Sequence, residues 1–530
     1  MREVINEKIV MQFYLEEIKN DEIAFLVGRE RYKKEISDYI NKMINAEKMN
    51  EKIRIACGLW KLLFESAMSF IDPEKQGYDK IFSFFDEFVE FEELIFASDS
   101  FYRDHTLHCL WVYFLGEYIY KKAEYNEFLS DLKTYDDSAL LLDELITKLD
   151  LQEYFGSFHE VCDAYRDIKK YNDSLRCVTS LAHDLGYPIK KITKINKSMK
   201  NILPYFSINS YNDFSFEFNN LQQHFIEYFI DFISSDLNFM INAGSVSEME
   251  FLKDEIFEIR DNKFICLKDN AIEHMTAERI EAIKRNLKTE CYFIKIPSQA
   301  MSFSNEFEEY HHGIMSAFLL AKNLKAFQNI LYVYGDKLIN THSDFGHLVI
   351  KQIMLSSIAN HTRDTFRIKK IDDSTFLTFI DELEEFSRIS RASQNREYVE
   401  EFCTSYIYME DNWLNVDFVF ENDSLDNLDP EIAFKGRCKR FLTLFDVPKL
   451  SDKLKMKLRC IGQLENNKNT YVLELANRHV DILINGESVD IPKYLKSNQF
   501  YSKEEYAALG AENNPKTNKI YSMAEYTDLQ

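Results

Sequence analysis

Apolar side chains recur every three to four residues through positions 1–95, as in Ile9, Phe13, Leu15 and Ile18 and again in Ile36, Ile40 and Ile44, with few Gly or Pro interruptions. That period belongs to helices, so the segment predicts a helical lead-in. The stretch from Tyr102 to Tyr120 predicts one strong helix, on which His105 and His108 share a face because a three-residue step is nearly one turn. A further helix should carry SLRCVTSLAHD and stop near Gly186-Tyr187-Pro188, since proline disfavours helix in the residue before it.

More than a hundred residues separate that stop from His312, too many for a loop in a compact domain, so an insertion is expected at about 200–300. Within it, Glu258 to Leu267 and Cys291 to Ile296 alternate as strands do, whereas NLQQHFIEYFIDFI and TAERIEAIKRNL have helical spacing. Helices resume with EFEEYHHGIMSAFLLAKNL, FGHLVIKQIMLSSIANHT and STFLTFIDELEEFSRISRA. After residue 400 the texture turns β-branched and alternating, with Asn485-Gly486 as a turn signal. The expected plan is mainly α: a helical segment over 1–95, a helical core with a mixed insertion over 96–400, a smaller α+β domain over 401–500, and a flexible tail over 501–530.

Composition narrows the function. Sixty-four Lys+Arg against 88 Asp+Glu give a formal charge of -24, which argues against bulk nucleic-acid binding by the whole surface. The nine cysteines are scattered and include no Cys-x-x-Cys pair, as in a reduced, cytoplasmic protein without structural zinc. Charges at Arg2, Glu3, Glu7 and Lys8 fall where a signal peptide needs an apolar core, and no apolar run reaches membrane-spanning length. The 43 Phe and 30 Tyr reflect compositional bias more than an aromatic binding surface. Phosphate-binding G-x-x-x-x-G-K-[ST], dinucleotide G-x-G-x-x-G and nucleophile-elbow G-x-S-x-G motifs are absent from the sequence.

The chemistry concentrates in histidines and aspartates. His183 and Asp184 are adjacent at the end of an apolar run, and His108, His312, His361 and Asp381 each fall in an apolar helical segment. A single histidine in such a place is more often packed than a ligand; four of the twelve in this order, with two aspartates, supply the borderline nitrogens and hard oxygens of a hydrolytic metal centre. The order resembles the HD-domain superfamily of metal-dependent phosphohydrolases, whose signature is a first His, a His-Asp pair and a distant Asp. The resemblance matches these to His108, His183, Asp184 and Asp381, with His108 preferred over His105 because an apolar residue, Val112, follows four positions later.

The same resemblance implies that His312 and His361 complete a second site. His183 and Asp184 are then the catalytic pair, with Asp184 bridging two ions or orienting water. Manganese, iron, cobalt or nickel suit this ligand set, and Mg²⁺ could fill one position. His105 and His311 are candidate supporting neighbours of the ligands, and Arg103 and Asp104 candidate supports of the first ligand helix. Lys190, Lys191, Lys194, Lys197 and Lys200 form a cationic stripe, and Lys190, Lys191, Lys194, Arg363, Arg388 and Arg391 are candidate phosphate contacts. The sequence departs from the cyclic-dinucleotide phosphodiesterase subgroup. There Gly-Tyr-Pro follows a later His-His pair, whereas here Gly186-Tyr187-Pro188 follows His-Asp directly, and Tyr187 stands where many relatives have Lys.

The expected activity is hydrolysis of a nucleotide-type phosphomonoester or phosphodiester. Two alternatives stay open: a non-catalytic nucleotide sensor or scaffold, and a single-strand nuclease. Homo-oligomers or a protein partner through the C-terminal domain are compatible with either plan, and fold analogy alone does not choose among them.

Overall fold

The computed structural model describes residues 3–496, leaving outside the description 75–76, 96–100, 131–169, 243–256, 261–262, 268–275, 279–280, 282–287, 328–344, 391–402, 424–427 and several shorter stretches, as well as both chain ends. The described body is helical, and its C-terminal part is α+β. No helix among the described residues is long and apolar enough to cross a membrane.

The lead-in folds as helices Glu7–Lys19, Glu30–Asn45, Met49–Ile71 and Asp79–Ile95. The first begins where the Asn6 side chain accepts a hydrogen bond from the Ile9 amide at 3.0 Å, relieving an orphan N–H of the first turn. Glu7–Lys19 and Met49–Ile71 pack against the His105–Lys121 helix, which is buried at every position from His105 to Ile119. A helix apolar all round belongs in a core, and this one is the axis of the body. The Tyr14 and Tyr113 hydroxyls meet at 2.8 Å, and the buried Trp60 indole N–H donates to the Leu181 carbonyl at 2.8 Å.

Several boundaries differ from the sequence expectation. Tyr102 and Arg103 are strand, in Phe101–Arg103, and the helix starts at His105 because Asp104 caps it, accepting from the Leu107 amide at 3.1 Å. The next helix, 170–182, ends one residue before His183. Pro188 does not stop it; it sits in the first turn of a new helix, Tyr187–Ile202, where its missing N–H has no partner to lose. The segment 306–324 is broken at Tyr310, whose φ of 54° is left-handed, so Pro297–Glu308 and His312–Asn323 are separate helices. The helix expected to run to Ala392 stops at Leu383, and Arg388–Ser390 pairs antiparallel with Phe101–Arg103.

In the insertion, Asn220–Ile233 is helix, Ser235–Asn242 pairs with Lys288–Lys295, and Phe257–Arg260 pairs with Lys263–Leu267. Most of TAERIEAIKRNL lies outside the described residues, as does the 501–530 tail.

The C-terminal sheet runs, edge to edge, Glu487–Ser488, His479–Ile484, Thr470–Ala476, Met456–Gly462, Trp413–Phe420, Thr404–Glu410. All neighbours are antiparallel except Trp413–Phe420 with Met456–Gly462, and that parallel pair requires a crossover, which the Pro430–Leu444 helix supplies. Asn485 and Gly486 have φ of 51° and 86°, the two left-handed positions of a tight hairpin. On the inner strand Trp413–Phe420, Asp417 and Asn415 are buried, and Arg459 on the neighbouring strand satisfies them at 2.6 and 2.9 Å.

A buried ion network fixes 170–182 against the axial helix. Arg176 bonds Glu117 at 2.6 and 3.2 Å and Asp173 at 2.5 Å, while Asp173 also accepts from the Ala24 amide at 2.8 Å. Removing the guanidinium takes the close partner from two buried carboxylates and leaves them only the more distant Lys121 ammonium, at 3.8 and 3.5 Å. Arg176→Met should therefore lower the free energy of unfolding by about 3–5 kcal/mol, read from urea denaturation, and a loss under about 1 kcal/mol would contradict this account.

Candidate metal centre

Five helix ends deliver the candidate ligands. His108 comes from the first turn of the axial helix, His183 and Asp184 from the turn after 170–182, and His312 opens its own helix. His361 follows the last residue of Phe345–Asn360, and Asp381 lies in Phe376–Leu383. Glycine allows these ends to meet. A Cβ on Gly186 would lie 2.3 Å from the His312 carbonyl oxygen, and one on Gly313 would lie 2.6 Å from Thr362 Oγ1 and 2.9 Å from the His361 ring. Ser316 ties the same junction, donating to the His183 carbonyl at 2.6 Å while its Oγ accepts from the Gly186 amide at 2.7 Å.

Asp184 is the centre of the arrangement. Its Oδ2 lies 3.4 Å from His183 Nε2 and 3.7 Å from His108 Nε2; its Oδ1 lies 3.2 Å from His312 Nε2 and 3.6 Å from His361 Nε2. Asp381 Oδ1 joins the first group at 2.8 Å from His108 Nε2 and 3.8 Å from His183 Nε2. Two donors about 2.1 Å from one ion stand about 3.0 Å apart at right angles and about 3.4 Å apart in a tetrahedron. The observed separations bracket those values.

The ring tautomers are set from behind. A carbonyl oxygen can only accept, so His183 Nδ1 donates to the Ser180 carbonyl at 2.7 Å and His361 Nδ1 to the Ile358 carbonyl at 2.6 Å. Each Nε2 then presents a lone pair. His108 Nδ1 is held by the fully buried Glu384 at 2.5 Å, a carboxylate behind a histidine that raises its basicity as a ligand. The Nε2 atoms of His108 and His183 stand 3.3 Å apart, His108 Nε2 also meets Asp381 Oδ1 at 2.8 Å, and the buried His361 Nε2 has no hydrogen-bond partner among the described residues. Such a convergence of lone pairs is relieved by a cation. The buried His/Asp cluster could hold metal ions, and its donors fall into two groups that share Asp184.

Burial holds His183 and His312 at a pKa of about 4, against the opposing pull of Asp184 on both. Burial also disfavours the charged form of Asp184, but the facing His183, His312 and His361 outweigh it and hold its carboxyl well below the usual range. Both results leave neutral imidazoles around an anion, the protonation state a cation requires.

The other sequence candidates lie around or away from this cluster. His105 bonds Glu92 at 2.7 Å and packs on Tyr187, which in turn packs on His312, with ring centroids 4.0 and 4.7 Å apart. His311 turns outward to Glu306 and Glu309. The Lys191 ammonium lies 4.8 Å over the Tyr187 ring, Lys190 is half-buried on the same helix, and Lys200 pairs with Asp213. The Lys194 and Lys197 side chains, the Arg388 side chain and all of Arg391 lie outside the described residues. Arg363 lines a separate cavity on the flank of Phe345–Asn360.

Sequence reasoning missed Glu384, although its position three residues after Asp381 was the available signal. It also missed two arginines of the C-terminal crossover helix. Arg437 bonds Glu385 at 2.8 Å, and Arg440 bonds Glu382 and reaches the His361 carbonyl at 3.4 Å.

No protein-family model matches this chain, and no curated protein and no solved structure matches it significantly.

Glu384→Gln should weaken divalent-metal affinity about 10–100-fold in a chelator competition, and unchanged affinity would remove Glu384 from the centre. A pH dependence also follows. The unfolded chain protonates His183 and His312 near 6.5 and the folded chain near 4. Their contribution to stability is therefore fully present above about pH 6.5 and is lost as pH falls towards 4. Thermal unfolding of chelator-treated protein should fall across that window; a flat midpoint would contradict the burial of neutral rings.

Proposed function

We propose that this chain is a metal-dependent phosphohydrolase of HD type, acting on a nucleotide-type phosphomonoester or phosphodiester. The observation that carries the reading is Asp184, whose two oxygens face different pairs of imidazoles, as a carboxylate shared by two ions would. His108, His183, Asp184 and Asp381 would hold one ion, and Asp184, His312 and His361 the other. The mixed nitrogen and oxygen donors suit manganese, iron, cobalt or nickel, with Mg²⁺ acceptable at one position. Bound there, divalent ions supply Lewis-acid polarisation of a phosphoryl oxygen and activation of water.

The chain's own residues do the rest. Glu384 and the Ser180 and Ile358 carbonyls keep three Nε2 atoms aimed inward, so the rings need no reorientation when they are used. Tyr187 packs on His312 and has the Lys191 ammonium over its ring, which places a positive charge beside the cluster in a chain of net charge -24. That cation attracts a phosphate where the surrounding surface repels it.

A second reading is favoured by Arg437 and Arg440, which tie the C-terminal domain to the segments carrying Glu384 and His361. In that reading the centre binds metal and nucleotide without turnover and reports occupancy to the accessory domain.

Elemental analysis of protein purified without chelator, paired with a nucleotide hydrolysis screen, tests both. About two transition-metal ions per chain and phosphate release are expected. Asp184→Ala should lose both while keeping its helical circular dichroism. Hydrolysis undiminished in that variant would sink the assignment, and metal bound without any turnover would favour the sensor.

A further inference from the structure

The cavity that Arg363 lines is separate from the metal cluster, since none of the six candidate ligands contributes to it. Its volume is about 370 Å³, at the small end of the range that takes metabolites. Gln352, Ser356 and Asn360 form one wall, because steps of four residues return to the same face of Phe345–Asn360. Gln299, Phe366 and Asp373 come from other elements and close the space.

Arg363 is held rigidly at its edge. Its guanidinium lies against the fully buried Phe303 ring at 4.6 Å, with Phe366 6.0 Å away. Nε donates to Thr365 Oγ1 at 3.0 Å and Nη1 to Asn360 Oδ1 at 2.9 Å, both neutral acceptors. Among the described residues no carboxylate forms an ion pair with Arg363, and no hydrogen bond uses its Nη2. Glu306, the acid whose charge it feels, is itself bound to His311. The planar fork of arginine matches an oxyanion, and half of this fork is already positioned by packing.

The remaining polar groups ask for a ligand with donors. Gln352 Nε2 is committed to the Ser235 carbonyl at 2.7 Å, which leaves its oxygen as an acceptor. Asp372 is used to cap the following turn through Ser374 and Thr375. The Asp373 carboxyl accepts no hydrogen bond from the described residues, and burial, reinforced by Asp372, raises its pKa to about 6. Arg363 and Asp373 line the same cavity and are not paired with each other.

We propose that this cavity binds a small oxyanion that also carries hydroxyl or amino donors, its anionic group on Arg363 and its donors on Asp373 and the Gln352 oxygen. The site does not depend on metal and does not rest on the phosphohydrolase reading.

Isothermal titration calorimetry on chelator-treated full-length protein tests it, with adenosine monophosphate, inorganic phosphate and L-glutamate as probes. One saturable site per chain is expected for a donor-bearing probe, weakened roughly 10–100-fold by Arg363→Gln. Adenosine monophosphate binding would identify a phosphorylated ligand, and L-glutamate binding a carboxylate. Ser356→Leu, which fills the cavity and keeps Arg363, should weaken the same probe while the urea midpoint of both variants stays near that of the parent protein. No saturable binding of any probe, or binding retained in both variants, would overturn the proposal.

Discussion

One buried carboxylate organises this protein. Asp184 sits among four imidazoles in a region where burial alone would neutralise it, and it remains charged because those rings surround it on both sides. The surrounding elements are arranged to satisfy that anion without solvent. The axial helix is buried all round to bring His108 to it, and two glycines give up their side chains so that three chain segments can close over it. Close packing and donor geometry are here one requirement, since a methyl group at Gly186 or Gly313 would push a histidine-bearing segment away.

Much of this was legible in the sequence, for identifiable reasons. Helical periodicity revealed the lead-in and the axial helix because apolar spacing is a local property, and Asn485-Gly486 marked its hairpin because left-handed backbone is restricted to few residue types. The ligand candidates stood out because His and Asp are rare in apolar segments. Glu384 did not, because its one local cue, a position one helical turn after Asp381, is shared by Glu385, whose carboxylate, like that of Glu382, turns towards the arginines of the C-terminal helix. The φ of Gly186, -79°, is ordinary, and what demands glycine there is the His312 carbonyl, more than a hundred residues away in the chain. Arg363 is near His361 in sequence, but its side chain lines a cavity to which none of the six candidate ligands contributes. Direction, unlike spacing, is set by tertiary packing.

The C-terminal domain is joined to the helical body by more than a connecting loop. Its crossover helix places Arg437 and Arg440 on the acidic stretch that follows Asp381, and the chain around Ile368 pairs in parallel with Phe445. A buried arginine bound to a buried carboxylate contributes little net stability, because desolvation of both offsets the attraction. It does fix orientation, so the sheet domain determines how the Asp381 and Glu384 segment lies against His108.

The tautomer of His108 is set by a residue 276 positions later in the chain. At a synthesis rate of about 5–20 residues per second, that carboxylate emerges roughly 15–55 s after the histidine does. For that interval the first helix, the His183 turn and the ion network around Arg176 can assemble, but the ring they deliver has no fixed proton. The centre therefore cannot mature until the chain beyond residue 384 has been made, and ion capture before that would meet a half-built set of donors.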